Sequence, residues 1–204
     1  MSTAKLLALT SVERYLADEE NATTRSEYVN GFVRAMSGAT NRHNVIAGNV
    51  YALLWIQLNG TNCRPYNSDT KIRVRRDGAT SFFYPDASVI CESNRAADVF
   101  QDRPVVIVEV LSQSTRAIDL DEKLNAYLSI EALQAYVLLE QHKPLAIVMR
   151  RTSVGFLREV YEGLAARIEL PLHACGLTLS EIYSGVDFTL TTVQEPIASY
   201  DPQS

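Results

Sequence analysis

The stretch "PVVIVEVLS", residues 104–112, decides the fold, because it is nearly continuous in β-branched residues and yet carries one carboxylate, Glu109. A run of this composition is expected of a central strand covered on both faces. Side chains alternate along a strand, which puts Glu109 on the same side as Val105, Ile107 and Leu111. An unpartnered charge taken out of water costs several kcal/mol, so Glu109 must be protonated, paired with a cation or bound to a metal.

Further strands are expected over about Arg64 to Arg75 and Phe82 to Cys91, then Ala135 to Glu140, Leu145 to Arg151 and Gly155 to Tyr161. Asn30-Gly31 between "RSEYV" and "FVRAM" reads as an N-terminal β-hairpin, because these residues accept the positive φ angles of a two-residue turn. Helices are expected within residues 1–22, after a cap at Thr40 or Asn41 as far as Asn59-Gly60, after "SQSTRAI" to about Ile130, and over "LTLSEIYSGV". This order predicts a mixed α+β architecture, a central mixed β-sheet flanked by helices. One domain is expected, with a core over about 12–184 and a loose tail over about 189–204.

Several polar residues stand near that core. Asp86 follows Pro85 at the start of an apolar strand; it reads either as a turn-capping aspartate or, should its strand pair with that of Glu109, as a second carboxylate facing one hard cation. Asp119, Lys123 and Tyr127 recur at i, i+4 and i+8 on one helical face. Asp119 with Glu122 also fits a capping box, and Lys123 fits a surface ion pair. His43 lies on the apolar stripe with Ala47, Val50 and Leu54, where a hydrogen-bonded histidine at the rim of the core is the plain reading.

Composition excludes much else. With 47% hydrophobic and 21% charged residues the chain is neither disordered nor a membrane protein in type, and no apolar run approaches a helical span. "MSTAKLLALTSVERYL" lacks the basic flank and cleavage site of a secretory signal, so a cytoplasmic location is expected. Cys63, Cys91 and Cys175 are too few and too dispersed for a disulfide framework or a structural zinc site, and are expected to be buried or inert thiols. A net charge of −5 offers no bulk attraction for DNA. Only "KIRVRR", residues 71–76, and "MRR", residues 149–151, qualify as local basic patches, each equally readable as a solvated strand edge. The chain carries no phosphate-binding glycine loop, no nucleophile elbow around Ser112, Ser114 and Thr115, and no zinc-spaced histidine pair on a helix.

Taken together, "YPDASVIC" followed by "PVVIVEVLSQSTRAIDLDEKLNAYL" resembles the Uma-type restriction endonuclease family of the PD-(D/E)xK nuclease superfamily. The likeness extends over roughly residues 12–184, including "EYVNGFVRAMSG" and the terminal "LTLSEIYSG". It implies a restriction-endonuclease-like fold and a Mg²⁺- or Mn²⁺-dependent endonuclease acting on DNA. Asp86, Glu109 and the Val110 carbonyl would hold the metal, Lys123 would join Asp86 and Glu109 as a catalytic residue, and Glu27, His43, Asp119 and Tyr127 would support them. Two departures stand out: Leu111 occupies the position of the usual superfamily lysine, whose place Lys123 takes from the next helix, and "AYVLLEQ" lacks the usual Tyr-Trp pair and closing aspartate. A homodimer is expected because two-fold symmetry suits cutting both strands. The alternatives are a nuclease-fold binding or assembly module without turnover, and hydrolysis of another phosphate ester in a closed pocket.

Overall fold

The computed structural model describes residues 9–36, 38–112, 116–172 and 174–189. The first helix, α1 (Val12–Glu20), is capped by the Ser11 hydroxyl, which accepts from the Arg14 amide. Strands β1 (Ser26–Val29) and β2 (Phe32–Ala35) form the expected hairpin. Asn30 and Gly31 both take positive φ, 46° and 93°, as a tight turn that matches strand twist requires. A side chain at Gly31 would meet Leu9 at 2.8 Å, so the turn also needs glycine for room. Helix α2 (Asn41–Leu58) starts where Thr40 accepts from the His43 amide, and buries Ile46, Val50, Leu54 and Leu58 at helical spacing.

Two stretches that read as single strands are each broken in two. Arg64 to Arg75 divides into β3 (Arg64–Asn67) and β4 (Lys71–Arg76), because the Asn67 side chain accepts from the Asp69 amide and turns the chain. Phe82 to Cys91 divides into β5 (Ala79–Phe83) and β6 (Ala87–Ile90), on either side of Pro85, which has no N–H to give a ladder. The halves belong to different sheets. Together with β7 (Phe100–Gln101), the order β2-β1-β5-β4-β7 makes one sheet of five strands. The central sheet orders β11-β10-β9-β8-β6-β3, where β8 is Pro104–Leu111, β9 Ala135–Glu140, β10 Leu145–Thr152 and β11 Gly155–Glu162. It is mixed, since β8 and β9 run parallel and the other neighbours antiparallel.

The parallel pair requires a crossover, supplied by α3 (Arg116–Leu120) and α4 (Glu122–Leu128) rather than by one continuous helix. A ribbon of β12 (Arg167–Glu169) and β13 (Gly176–Thr178), not anticipated from the sequence, precedes α5 (Leu179–Ile182). On one face of the central sheet Val106, Val108 and Val110 pack with α2 and α5; on the other, Ile107 and Leu111 pack with Tyr127 and with Ile72 and Val74 of the five-stranded sheet. Val105 departs from the expected side, joining the α2 cluster where the register shifts opposite Val89 and Ile90.

The cysteine expectation is corrected. Cys63 and Cys91 form a disulfide, because the antiparallel register that pairs Arg64 with Ile90 brings their positions face to face one step further on. Cys175 is a buried thiol, as expected. The bond bears on the cytoplasmic expectation, since disulfides are rare in reducing compartments. Among the described residues no helix is long and apolar enough to cross a membrane. Residues 1–8, Ser114, Thr115, His173 and the tail beyond 189 lie outside the described residues.

Candidate active site

Glu109 lies on the inner face of β8, 4% exposed, between Ile107 and Leu111. Its Oε1 accepts from the Lys123 ammonium at 3.0 Å and from the Tyr127 hydroxyl at 3.2 Å. Lys123 and Tyr127 reach it from one face of α4, as their spacing of four residues predicts. Lys123 is itself buried, with the carboxylates of Glu27 at 2.9 Å and Asp119 at 3.3 Å as well. The surface-lysine reading is therefore overturned.

The capping reading of Asp119 also fails. Asp119 sits inside α3, 1% exposed, and turns its carboxylate inward to the ammonium. The position before α4 is held by Asp121, whose side chain makes no capping bond, and Glu122 reaches Arg34 at 2.9 Å instead of folding back. That same Arg34 nitrogen pairs with Glu27 at 2.8 Å. Glu27 thus links the hairpin to the crossover helix.

Asp86 lies beside this cluster. Continuing the register that pairs Ala87 with Val108 by one residue sets Asp86 opposite Glu109, on the same face. Its Oδ2 accepts from the Val110 amide at 2.7 Å, and its Oδ1 meets His43 Nε2 at 2.8 Å. Facing a carboxylate, that nitrogen carries the proton. His43 is thus the rim histidine expected, although its Nδ1 is buried without a hydrogen-bond partner among the described residues. Asp86 is thus held across the strands by the Val110 amide rather than capping a turn, with its carboxylate beside Glu109.

Electrostatically the cluster is short of positive charge. Three buried carboxylates, Glu27, Glu109 and Asp119, surround the one ammonium of Lys123, while Arg34 is shared with Glu122. Burial opposes the charge on Lys123, but Glu109, Glu27 and Asp119 outweigh it and hold the side chain protonated well above its ordinary range. Burial drives Glu109 the other way, raising its pKa well above the usual carboxylate range; Asp86 and Asp119 add to this and Lys123 opposes it. The deficit fits a hard cation. Asp86 and Glu109 could offer it carboxylate oxygens from adjacent strands, with Asp86 held at the Val110 amide and the Val110 carbonyl as a further candidate. Among the described residues no group of three or more His, Cys, Asp or Glu is placed to hold a metal ion by itself.

Sequence reasoning missed two residues here. Arg34 reaches Glu122, 88 positions away along the chain. Gln141, 3% exposed, accepts from the Thr40 hydroxyl at 2.9 Å and donates to the Leu111 carbonyl at 2.8 Å, tying the start of α2 to the end of β8. Neither residue lies in a local pattern that would reveal such contacts. Neither basic cluster is a simple patch. Arg73 is clamped by Asp102, Arg150 by Glu159, and Arg151 donates to the Leu133 and Ile130 carbonyls.

Residues 12–180 match the family model Uma2, described as "Putative restriction endonuclease". The uncharacterized protein slr1290 of Synechocystis sp. is 31% identical over 87% of this chain and 93% of its own length. A second, sll1609 of the same organism, is 34% identical over 69% of this chain and 80% of its own. The fold is shared with a crystal structure from Anabaena variabilis titled as a putative nuclease belonging to DUF820, with a TM-score of 0.68, 17% identity and coverage of 84% of this chain and 96% of that one.

Proposed function

Starting from the fact that the chain belongs to the Uma2 restriction endonuclease family, we propose that it is a divalent-metal-dependent endonuclease that hydrolyses DNA phosphodiester bonds. The observation that carries this reading is the pairing of Asp86 and Glu109 on adjacent strands with Lys123 bonded to Glu109. Asp86, Glu109 and the Val110 carbonyl hold Mg²⁺ or Mn²⁺. A bound dication supplies Lewis acidity at the scissile phosphate and an acidified water.

The residues around it have separable tasks. Lys123, held beside Glu109 by three carboxylates, donates hydrogen bonds and stabilises charge developing on phosphate oxygens. Tyr127 fixes the orientation of Glu109, and His43 that of Asp86. Glu27 and Asp119 hold the ammonium in place. Two-fold pairing of the chain would present two such sites to the two strands.

Plasmid cleavage in the presence of Mg²⁺ or Mn²⁺ is the direct test. Asp86→Asn and Glu109→Gln are each expected to reduce the rate on the order of 100-fold or more. Absence of both cleavage and Mn²⁺ binding in the wild type would refute the proposal. A second reading, a nuclease-fold binding or assembly module, is favoured by one observation: both Asp86 oxygens and the Lys123 ammonium are already engaged inside the protein. Calorimetric titration with Mn²⁺ separates the two, since the module gives no heat that Glu109→Gln abolishes.

A further inference from the structure

Helix α2 carries no aspartate, glutamate, lysine or arginine after Arg42, although one of its sides faces out of the molecule. Ile46, Val50, Leu54 and Leu58 fill the buried side. The outer side runs through Val45, Gly48, Ala52, Trp55 and Ile56 at helical spacing, with Asn41 and Asn44 as its polar members in the first turn. A surface helix ordinarily turns charged and polar side chains to water. Here Ile56 is 72% exposed, Trp55 52% and Val45 40%. The Trp55 ring stands 6.3 Å from that of Tyr51, one turn earlier, so the two form a single aromatic block.

Gly48 is the second anomaly of this face. Glycine inside a helix is less stable than alanine and is useful there where another group must come close. Its backbone lies within the regular helix, so conformational freedom is not what the position needs. Nor does the chain crowd it: a side-chain carbon built on Gly48 would meet nothing within 4 Å among the described residues. The notch opens outward, on a face without charge, between Val45 and Ala52.

We propose that this face of α2 is a self-association surface, covered by the same face of a second copy of the chain in antiparallel, two-fold pairing about Ala52. Gly48 and Ile56 each lie four residues from Ala52, about 6 Å along the helix axis. A two-fold axis at Ala52 exchanges these two levels, so Trp55 and Ile56 of each copy come over Gly48 of the other. Bulk at one end of the stripe fills the notch at the other, which makes the face its own complement. A charged partner would find no counter-charge on it. One helix pair is a small contact, so the dimer is weak, with a dissociation constant on the order of micromolar. None of the five residues belongs to the carboxylate site, so the pairing holds whether or not the chain cuts DNA.

The test is sedimentation of the full chain over roughly 1–100 μM with a chelator present, where the mass should pass from one chain to two. Trp55 is the sole tryptophan of the sequence, so its emission reads the face directly and should move to shorter wavelength as the dimer forms. Gly48→Leu should raise the thermal midpoint of the dilute chain by improving the helix, and yet weaken association about tenfold or more. Ile56→Glu, at a position mostly in water in the single chain, should weaken association at least as much and leave the midpoint of the dilute chain nearly unchanged. A chain that stays single across the whole range overturns the proposal. So does a dimer that both variants leave intact, or one whose formation does not move the Trp55 emission.

Discussion

Val106, Val108 and Val110 on one face of β8 meet Ile46, Val50 and Leu54 of α2 in an apolar cluster, whereas Ile107 and Leu111 on the other face flank Glu109 and its ionic neighbours. Both faces are buried, yet they are held together differently. Apolar packing is spread over many small contacts, and loss of one side chain costs its own transfer energy plus the cavity left behind. The ionic face depends on each charge finding a partner, so its weak point is the group that several others share. Lys123 is that group.

The comparison predicts an ordering. Lys123→Met should be the most damaging change, lowering stability by about 3–5 kcal/mol, because it leaves Glu27, Glu109 and Asp119 buried without their ammonium. Urea denaturation at neutral pH measures it; an unchanged midpoint would mean that those carboxylates are neutralised by other means. Leu54→Ala, wholly buried on the opposite face, should cost about 3 kcal/mol and leave Mn²⁺ binding unaltered. Loss of metal binding in that variant would show that the two faces are coupled.

A smaller effect is expected far from both faces, where Asp102 accepts two hydrogen bonds from Arg73 at 2.7 Å. Burial raises the Asp102 pKa, but the bonds from Arg73 and Asn94 outweigh it, and the folded state holds the carboxyl below its ordinary value. The contribution of this pair is therefore complete above the unfolded pKa of about 4 and lost as pH falls through the lower folded value. Because the pair is part exposed, the difference in stability between wild type and Asp102→Asn should shrink by less than about 1 kcal/mol on acidification. A difference that grew as pH fell would contradict that sign.

What could be read from the chain was local. The run around Glu109, the Asn30-Gly31 turn and the four-residue spacing of Asp119, Lys123 and Tyr127 each express a period of strand, turn or helix. Tertiary contact decided the rest. The spacing of Asp119 and Glu122 suits a cap, but three-dimensional packing turned one to Lys123 and the other to Arg34. Dispersed cysteines gave no hint of the register that joins Cys63 to Cys91, and the breaks at Asn67 and Pro85 concealed that neighbouring segments enter separate sheets.

Gln141 also bears on how the site holds together. Its amide grips the entry of the helix that carries His43 and the exit of the strand that carries Glu109. Any wedge driven between these two elements must rupture at least one of the two bonds, so a side chain that makes no hydrogen bond to the acidic groups latches together the elements that carry them.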